Sequence, residues 1–214
     1  SKYWDGKIRL FNTQNGQIYV GLLDRIVQFC KDHEYTYQFK ESEFYGLPFE
    51  VNDFISKEGV KDYMMSICRY SPREYQIEGV YDALRHNRKL LISPTASGKS
   101  LMIYSIVRYY VERKQSTLIV VPTTSLVEQM YKDFADYGYD KPIDKMYGGD
   151  KKGTTDIVVT TWQTLSTMPK SFYDQFGAVF GDEAHLFKAK TLTGIIEKMK
   201  DIGHRWGLTG TLDD

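Results

Sequence analysis

Cysteine is scarce in this sequence: only Cys30 and Cys68 occur in 214 residues, far apart and among apolar or helix-forming neighbours. Two such thiols make neither a paired metal knuckle nor a disulfide framework, so a reduced, intracellular protein is expected. An excess of charge of either sign is lacking too, since 28 Lys and Arg face 28 Asp and Glu. No global field draws in a polyanion, and any nucleic-acid contact must come from a local patch. No apolar run approaches the length of a membrane span, and the opening SKYWDGK has no signal-peptide layout. A soluble chain with no membrane partner is expected. Internal repeats and low-complexity stretches are also missing. The chain begins with Ser rather than Met and stops at Asp214, directly after a motif, which predicts a piece of a longer protein.

What is present is an ordinary globular composition, 42% apolar and 26% charged, enough for one large domain or two modest ones. From residue 89 onward, short β-branched runs (KLLIS, TLIVVP, DIVVT, AVFGD, WGLTG) alternate with helical stretches at 98–114, 125–137 and 191–200. That alternation predicts an α/β domain with a parallel sheet, and strands apolar without a period of two are those covered on both faces. Residues 1–70 read differently, with KIRLF, QIYV and YTYQF as strands and a helix over 22–33, and predict a small α/β (α+β) accessory domain. The boundary falls near Arg69 to Pro72, giving domains 1–70 and 71–214. The first holds 14 of the 31 aromatic residues, with nine basic and ten acidic side chains. Those rings either stack bases or build the core of a small domain with much surface for its volume. If this domain meets DNA, Lys2, Lys7 and Arg9, beside Tyr3 and Trp4, form the expected edge.

Ser93-Pro-Thr-Ala-Ser-Gly-Lys-Ser100 follows a strand and opens a helix, the context a P-loop requires. Backbone N–H groups at Thr95, Ala96, Ser97 and Gly98 would cradle phosphates where orphan donors and the helix dipole favour negative charge. Lys99 would reach the β and γ phosphates and the Ser100 hydroxyl would ligate magnesium. Ser93 stands where the general pattern has Gly. Further on, Ala178-Val-Phe-Gly-Asp-Glu-Ala-His185 is an apolar strand ending in carboxylates. Asp182 could hold the metal shell opposite Ser100, and Glu183 could orient or deprotonate the attacking water.

The tetrapeptide Asp182-Glu-Ala-His185 resembles the signature of the DEAH/DEXH helicases of superfamily 2, whose loops commonly accept a small residue at the position of Ser93. The other elements occur in that family's order. Pro72-Arg-Glu-Tyr-Gln76 resembles the adenine-recognition element, which implies that Gln76 bonds the base edge bidentately with Arg73 in support. Val121-Pro-Thr-Thr-Ser-Leu126 resembles motif Ia and Val159-Thr-Thr-Trp-Gln163 motif Ib, implying nucleic-acid backbone contacts by Pro122, Thr123, Thr124, Thr160, Thr161 and Gln163. Leu208-Thr-Gly-Thr211 resembles motif III, in which Thr209 and Thr211 couple hydrolysis to domain movement together with His185. The RxYQ and LTGT elements are closer to the RecG, XPB and restriction-translocase branch than to the DEAD-box proteins, which have Asp in place of His185.

The resemblance implies a RecA-like P-loop fold, ATP and Mg2+ as cofactors, and ATP-dependent remodelling of branched or forked DNA and R-loops in recombination, repair and replication. It also implies a second RecA-like domain with an arginine finger, whose motifs are absent from these residues. The alternative is a nucleotide-switched nucleic-acid binding or annealing module without motor activity. The loop by itself also resembles that of transfer-RNA isopentenyltransferases, which carry it near the chain start, whereas here it follows Ile92.

Overall fold

The structure, a computed structural model, describes residues 11–18, 22–39, 55–86, 88–92, 98–148, 153–182 and 189–209. Two compact units divide between Pro48 and Phe49. In the first, β1 (Phe11–Asn12) and β2 (Gln17–Ile18) pair antiparallel. The turn between them closes through Gly16, whose left-handed φ of 69° brings its N–H 2.8 Å from the Asn12 carbonyl. Helix α1 (Leu23–Asp32) carries Asp24 in its first turn and Lys31 in its last, each of the sign the helix dipole favours there. Glu34, at φ 57°, ends it, and the Tyr35 N–H bonds back to the Cys30 carbonyl at 2.8 Å. The strand expected at YTYQF does not form: residues 35–39 lie in no ladder. Lys2, Tyr3, Trp4, Lys7 and Arg9 lie outside the described residues.

The second unit begins with α2 (Lys57–Ile67) and α3 (Glu74–Arg85), followed by β3 (Arg88–Ile92), α4 (Lys99–Glu112), β4 (Thr117–Val121) and α5 (Thr124–Tyr137). Then come β5 (Asp144–Met146), β6 (Ile157–Thr161), α6 (Trp162–Ser166), α7 (Lys170–Tyr173), β7 (Ala178–Asp182), α8 (Ala189–Lys198) and β8 (His204–Thr209). The strands form one parallel sheet in the order β3-β8-β7-β4-β6-β5. Side chains alternate between two cores, as strand geometry dictates. Ile119, Val121, Ile157, Val159, Ala178 and Phe180 face the core shared with α3, α4 and α5. Leu118, Val120, Val158 and Val179 face the other core, with Trp162, Leu165, Tyr173 and Ile195. Cover on both faces is why these strands read as unbroken apolar runs. Among the described residues no helix is long and apolar enough to cross a membrane.

The sequence reading differs from this architecture in two further places. Helix α2 falls within the expected accessory domain, yet its Val60 and Met64 are buried in the core of the second unit. The compact units therefore separate well before Arg69. Strand β5, only three residues long, carries too little apolar pattern to announce itself.

Candidate nucleotide and nucleic-acid sites

Helix α4 follows β3 in the chain and opens at Lys99, and Gly98 caps it in the left-handed region at φ 72°, ψ 40°. A Cβ on Gly98 would stand 2.5 Å from Gln76 Nε2, so glycine is required by backbone and by space. Gln76 itself is 5% exposed. Its Oε1 accepts the Arg73 N–H at 2.8 Å, closing the first turn of α3, and its Nε2 donates to the Gly98 carbonyl at 3.2 Å. Expected to read a base edge, the amide here has both ends engaged within the protein and ties α3 to the loop–helix junction. Arg73 stands at the N-cap of α3 beside it.

Lys99 and Ser100 open α4 and share a cleft of about 360 Å³ with Gly98, Asp182 and the face of α5 formed by Leu126, Gln129, Met130 and Asp133. Asp182 arrives from the end of β7. Trp162 Nε1 donates to its carbonyl at 3.2 Å, joining the start of α6 to the acid-bearing strand end. Strand β8 is bonded to β3 on one side and β7 on the other, pairing Thr209 with Ile92 and Leu208 with Asp182. Thr209, 5% exposed, thus ends its strand between the two halves of the nucleotide cleft. Thr95, Ala96, Ser97, Glu183, His185 and Thr211 lie outside the described residues.

A second cleft, about 340 Å³, is lined by Pro122, Thr123, Thr124, Thr161 and Gln163 together with Tyr147, Gly148 and Thr164. Thr123 caps α5, accepting the Leu126 N–H at 3.3 Å, and Thr161 caps α6, accepting the Thr164 N–H at 3.3 Å. Thr160 is a correction. It is 0% exposed on β6, its side chain turned to the interior by strand alternation, and its hydroxyl donates to the Met146 carbonyl at 2.9 Å. It cannot reach a ligand in this cleft. Beside the cleft, Glu128 accepts bonds from Lys145 Nζ at 3.0 Å to each carboxylate oxygen and from the Tyr147 hydroxyl. The Tyr147 bond, then Lys145, holds the Glu128 carboxyl below the usual range, and the Glu128 bond raises Lys145.

Sequence reading missed Tyr137, Asp133, Tyr147 and Thr164. Leu126, Gln129, Met130, Asp133 and Tyr137 recur at the three- and four-residue spacing of one helical face, so given that Leu126 ends motif Ia, the stripe was available as a signal. Tyr147 and Thr164 carried none, because their place depends on how β5 and α6 meet.

The sheet order and the cleft at its carboxyl edge define an α/β domain of the RecA-like fold. The chain belongs to superfamily 2 of the helicases: residues 69–214 match the family model described as "Type III restriction enzyme, res subunit". It is similar to the ATP-dependent DNA helicase UvsW of Enterobacteria phage T4, 35% identical over 223 residues, which span 99% of this chain and 43% of that protein. A crystal structure of that UvsW helicase superposes with a TM-score of 0.82 at 32% identity, covering 99% of this chain and 77% of the solved one. The DNA 3'-5' translocase XPB2 of Sulfurisphaera tokodaii is 30% identical over 140 residues, 65% of this chain and 30% of the relative. The chain thus spans less than half the length of these curated relatives.

Proposed function

We propose that this chain is the ATP-binding portion of a DNA helicase or translocase that remodels branched DNA and R-loops during recombination, repair and replication. The observation that carries the reading is the convergence of Gly98, Lys99 and Ser100, from the start of α4, with Asp182, from the end of β7, in one cleft. The relatives named as DNA helicase and DNA translocase supply the substrate class. A hydroxyl and a carboxylate are the hard oxygen donors that suit magnesium, and a lysine at a helix start suits phosphate, so the residues fit Mg2+ with ATP. Ser100 and Asp182 would hold the ion, which supplies charge neutralisation at the transferring phosphoryl group. Glu183, next in sequence, orients or deprotonates the water, and Lys99 holds the β and γ phosphates. Gln76 and Arg73 brace the nucleotide side of the junction. Thr209, Thr211 and His185 relay hydrolysis to movement.

DNA runs along the second cleft, where Pro122, Thr123, Thr124, Thr161 and Gln163 offer hydroxyls, an amide side chain and helix-start N–H groups to the backbone. The motor domain is the larger unit, residues 49–214, and residues 1–48 form the accessory portion. A second RecA-like domain completes the motor, so this chain alone binds nucleotide but unwinds little. Such a motor works inside the cell, in the cytoplasm that holds its DNA.

The test is nucleotide binding and DNA-stimulated turnover in the whole protein. Lys99→Ala should weaken ATP binding about tenfold or more, the loss of one charge-assisted contact. Glu183→Gln should leave binding intact and slow turnover by roughly 10²-fold or more, because the water loses its base while Asp182 stays. Parent-rate hydrolysis by Glu183→Gln with DNA present would show that the assigned role is wrong.

A further inference from the structure

Tyr137 belongs to no motif, yet its hydroxyl lies 2.7 Å from Ser100 Oγ, with either oxygen able to donate. Its ring is held on two sides. Tyr70 meets it edge-on at 6.0 Å between centroids, and Tyr104 lies tilted at 5.3 Å. The Tyr137 carbonyl accepts the Arg69 N–H at 3.2 Å, and the Tyr104 hydroxyl donates to the Ile67 carbonyl at 2.8 Å. The segment 67–73 therefore clamps Tyr137 at one end and starts α3 at the other, where Gln76 bonds Gly98. Both hydrogen bonds that grip the loop–helix junction are anchored by one short stretch of backbone.

The Tyr137 hydroxyl can donate or accept a hydrogen bond. Ser100 has one proton and two lone pairs. A serine oxygen that gives a lone pair to a hard cation must point its O–H away from that cation, and the Tyr137 oxygen is at hand to accept the hydrogen bond. Resting on the ATP reading above, we propose that Tyr137 is a positioning residue of the nucleotide site: its oxygen accepts a hydrogen bond from the Ser100 hydroxyl and so turns the serine lone pairs toward bound magnesium.

The experiment is a Mg2+ titration of fluorescent ATP analogue binding to the whole protein, repeated in excess chelator. Tyr137→Phe keeps the ring, so the melting temperature should hold while the Mg2+ concentration for half-saturation rises roughly five- to tenfold, the scale of one hydrogen bond. Metal-free binding should not change. Tyr173→Phe removes a buried hydroxyl from the other core, where it bonds the Leu165 carbonyl, and should lower the melting temperature without moving the Mg2+ titration. Ser100→Ala should raise the Mg2+ requirement by itself, and adding Tyr137→Phe to it should raise it no further. An unchanged Mg2+ requirement in Tyr137→Phe, equal weakening with and without metal, or additivity with Ser100→Ala would each overturn the proposal. If Tyr137→Phe folds poorly, the parent and Ser100→Ala still decide: equal Mg2+ requirements in those two also overturn it. A parent that binds no analogue at all removes the ATP reading, and this inference with it, whereas normal parent binding with any of the earlier outcomes removes only the inference.

Discussion

The junction between β3 and α4 turns on Gly98 for two independent reasons. Its φ of 72° lies where a side chain costs about 1 kcal/mol or more, and a Cβ would meet Gln76 Nε2 at 2.5 Å. Relieving that contact means pushing Gln76 off both of its bonds, to Arg73 N–H and the Gly98 carbonyl. Gly98→Ala should therefore cost more in nucleotide binding than in folding. We expect ATP affinity to fall by about tenfold or more and the melting temperature by only a few degrees, since about 1 to 2 kcal/mol of local strain is spread over a large unit. Calorimetric titration with ATP beside a thermal melt checks this. Parent affinity in the Ala variant would mean that the tie from α3 is dispensable. Gly181 is constrained differently: a Cβ there would come within 2.9 Å of the Trp162 ring, the same ring whose N–H bonds the Asp182 carbonyl.

At the scale of elements, the second cleft is bordered by a cluster that spans α5, β5 and the loop after it. Glu128 on α5 neutralises Lys145 and holds the Tyr147 hydroxyl, so two groups facing a proposed phosphate track are engaged by a carboxylate. Because the Glu128 pKa is lowered in the folded protein, this restraint is complete above the ordinary carboxylate range and is lost as pH falls through the lowered value. Glu128→Gln should free Lys145 at neutral pH, tighten DNA binding and steepen its salt dependence by about one phosphate contact. A salt slope identical to the parent's would place the DNA elsewhere. The strands and helices that build both clefts were legible in the sequence wherever a period was long: KLLIS, TLIVVP, DIVVT and AVFGD are strands β3, β4, β6 and β7 within a residue or two. Lys99, Ser100 and Asp182 were legible because phosphate and metal chemistry restrict residue type. Thr160 misled because adjacent threonines at a strand end look alike in sequence, while alternation puts only Thr161 on the side that lines the cleft and leaves the Thr160 hydroxyl bonded to the Met146 carbonyl. The bonds of Gln76 to the Arg73 N–H and the Gly98 carbonyl were not legible, because an amide can satisfy neighbouring backbone as well as a base.

For the molecule as a whole, composition and packing draw the boundary at different places. The aromatic-rich stretch runs to residue 70 and the family match begins at residue 69, yet the compact units divide at residues 48 and 49. Helix α2 accounts for the difference. Ser56 caps it through the Gly59 N–H at 3.0 Å, its Met64 is 0% exposed and its Val60 3% exposed, and both sit with Ile77, Val80 and Leu84 in the core behind α4. Lys57 reaches Glu74 at 2.5 Å and Glu78 at 2.8 Å, pinning α2 to α3 at the surface, where such pairs contribute little. The segment after α2 also supplies the Ile67 carbonyl and Arg69 N–H that hold Tyr104 and Tyr137. A chain cut to begin at residue 49 should keep the melting temperature of the larger unit. One cut to begin at residue 71 exposes the surface that Val60 and Met64 cover, about 3 kcal/mol or more of lost burial at 1.5 to 3 kcal/mol for each side chain. It also frees Tyr137. The second truncation should therefore melt several degrees lower and show a raised Mg2+ requirement for nucleotide, and the first should show neither. Equal melting temperatures for the two truncations would mean that α2 belongs energetically with the residues before it, and that its packing on α3 adds nothing to the motor.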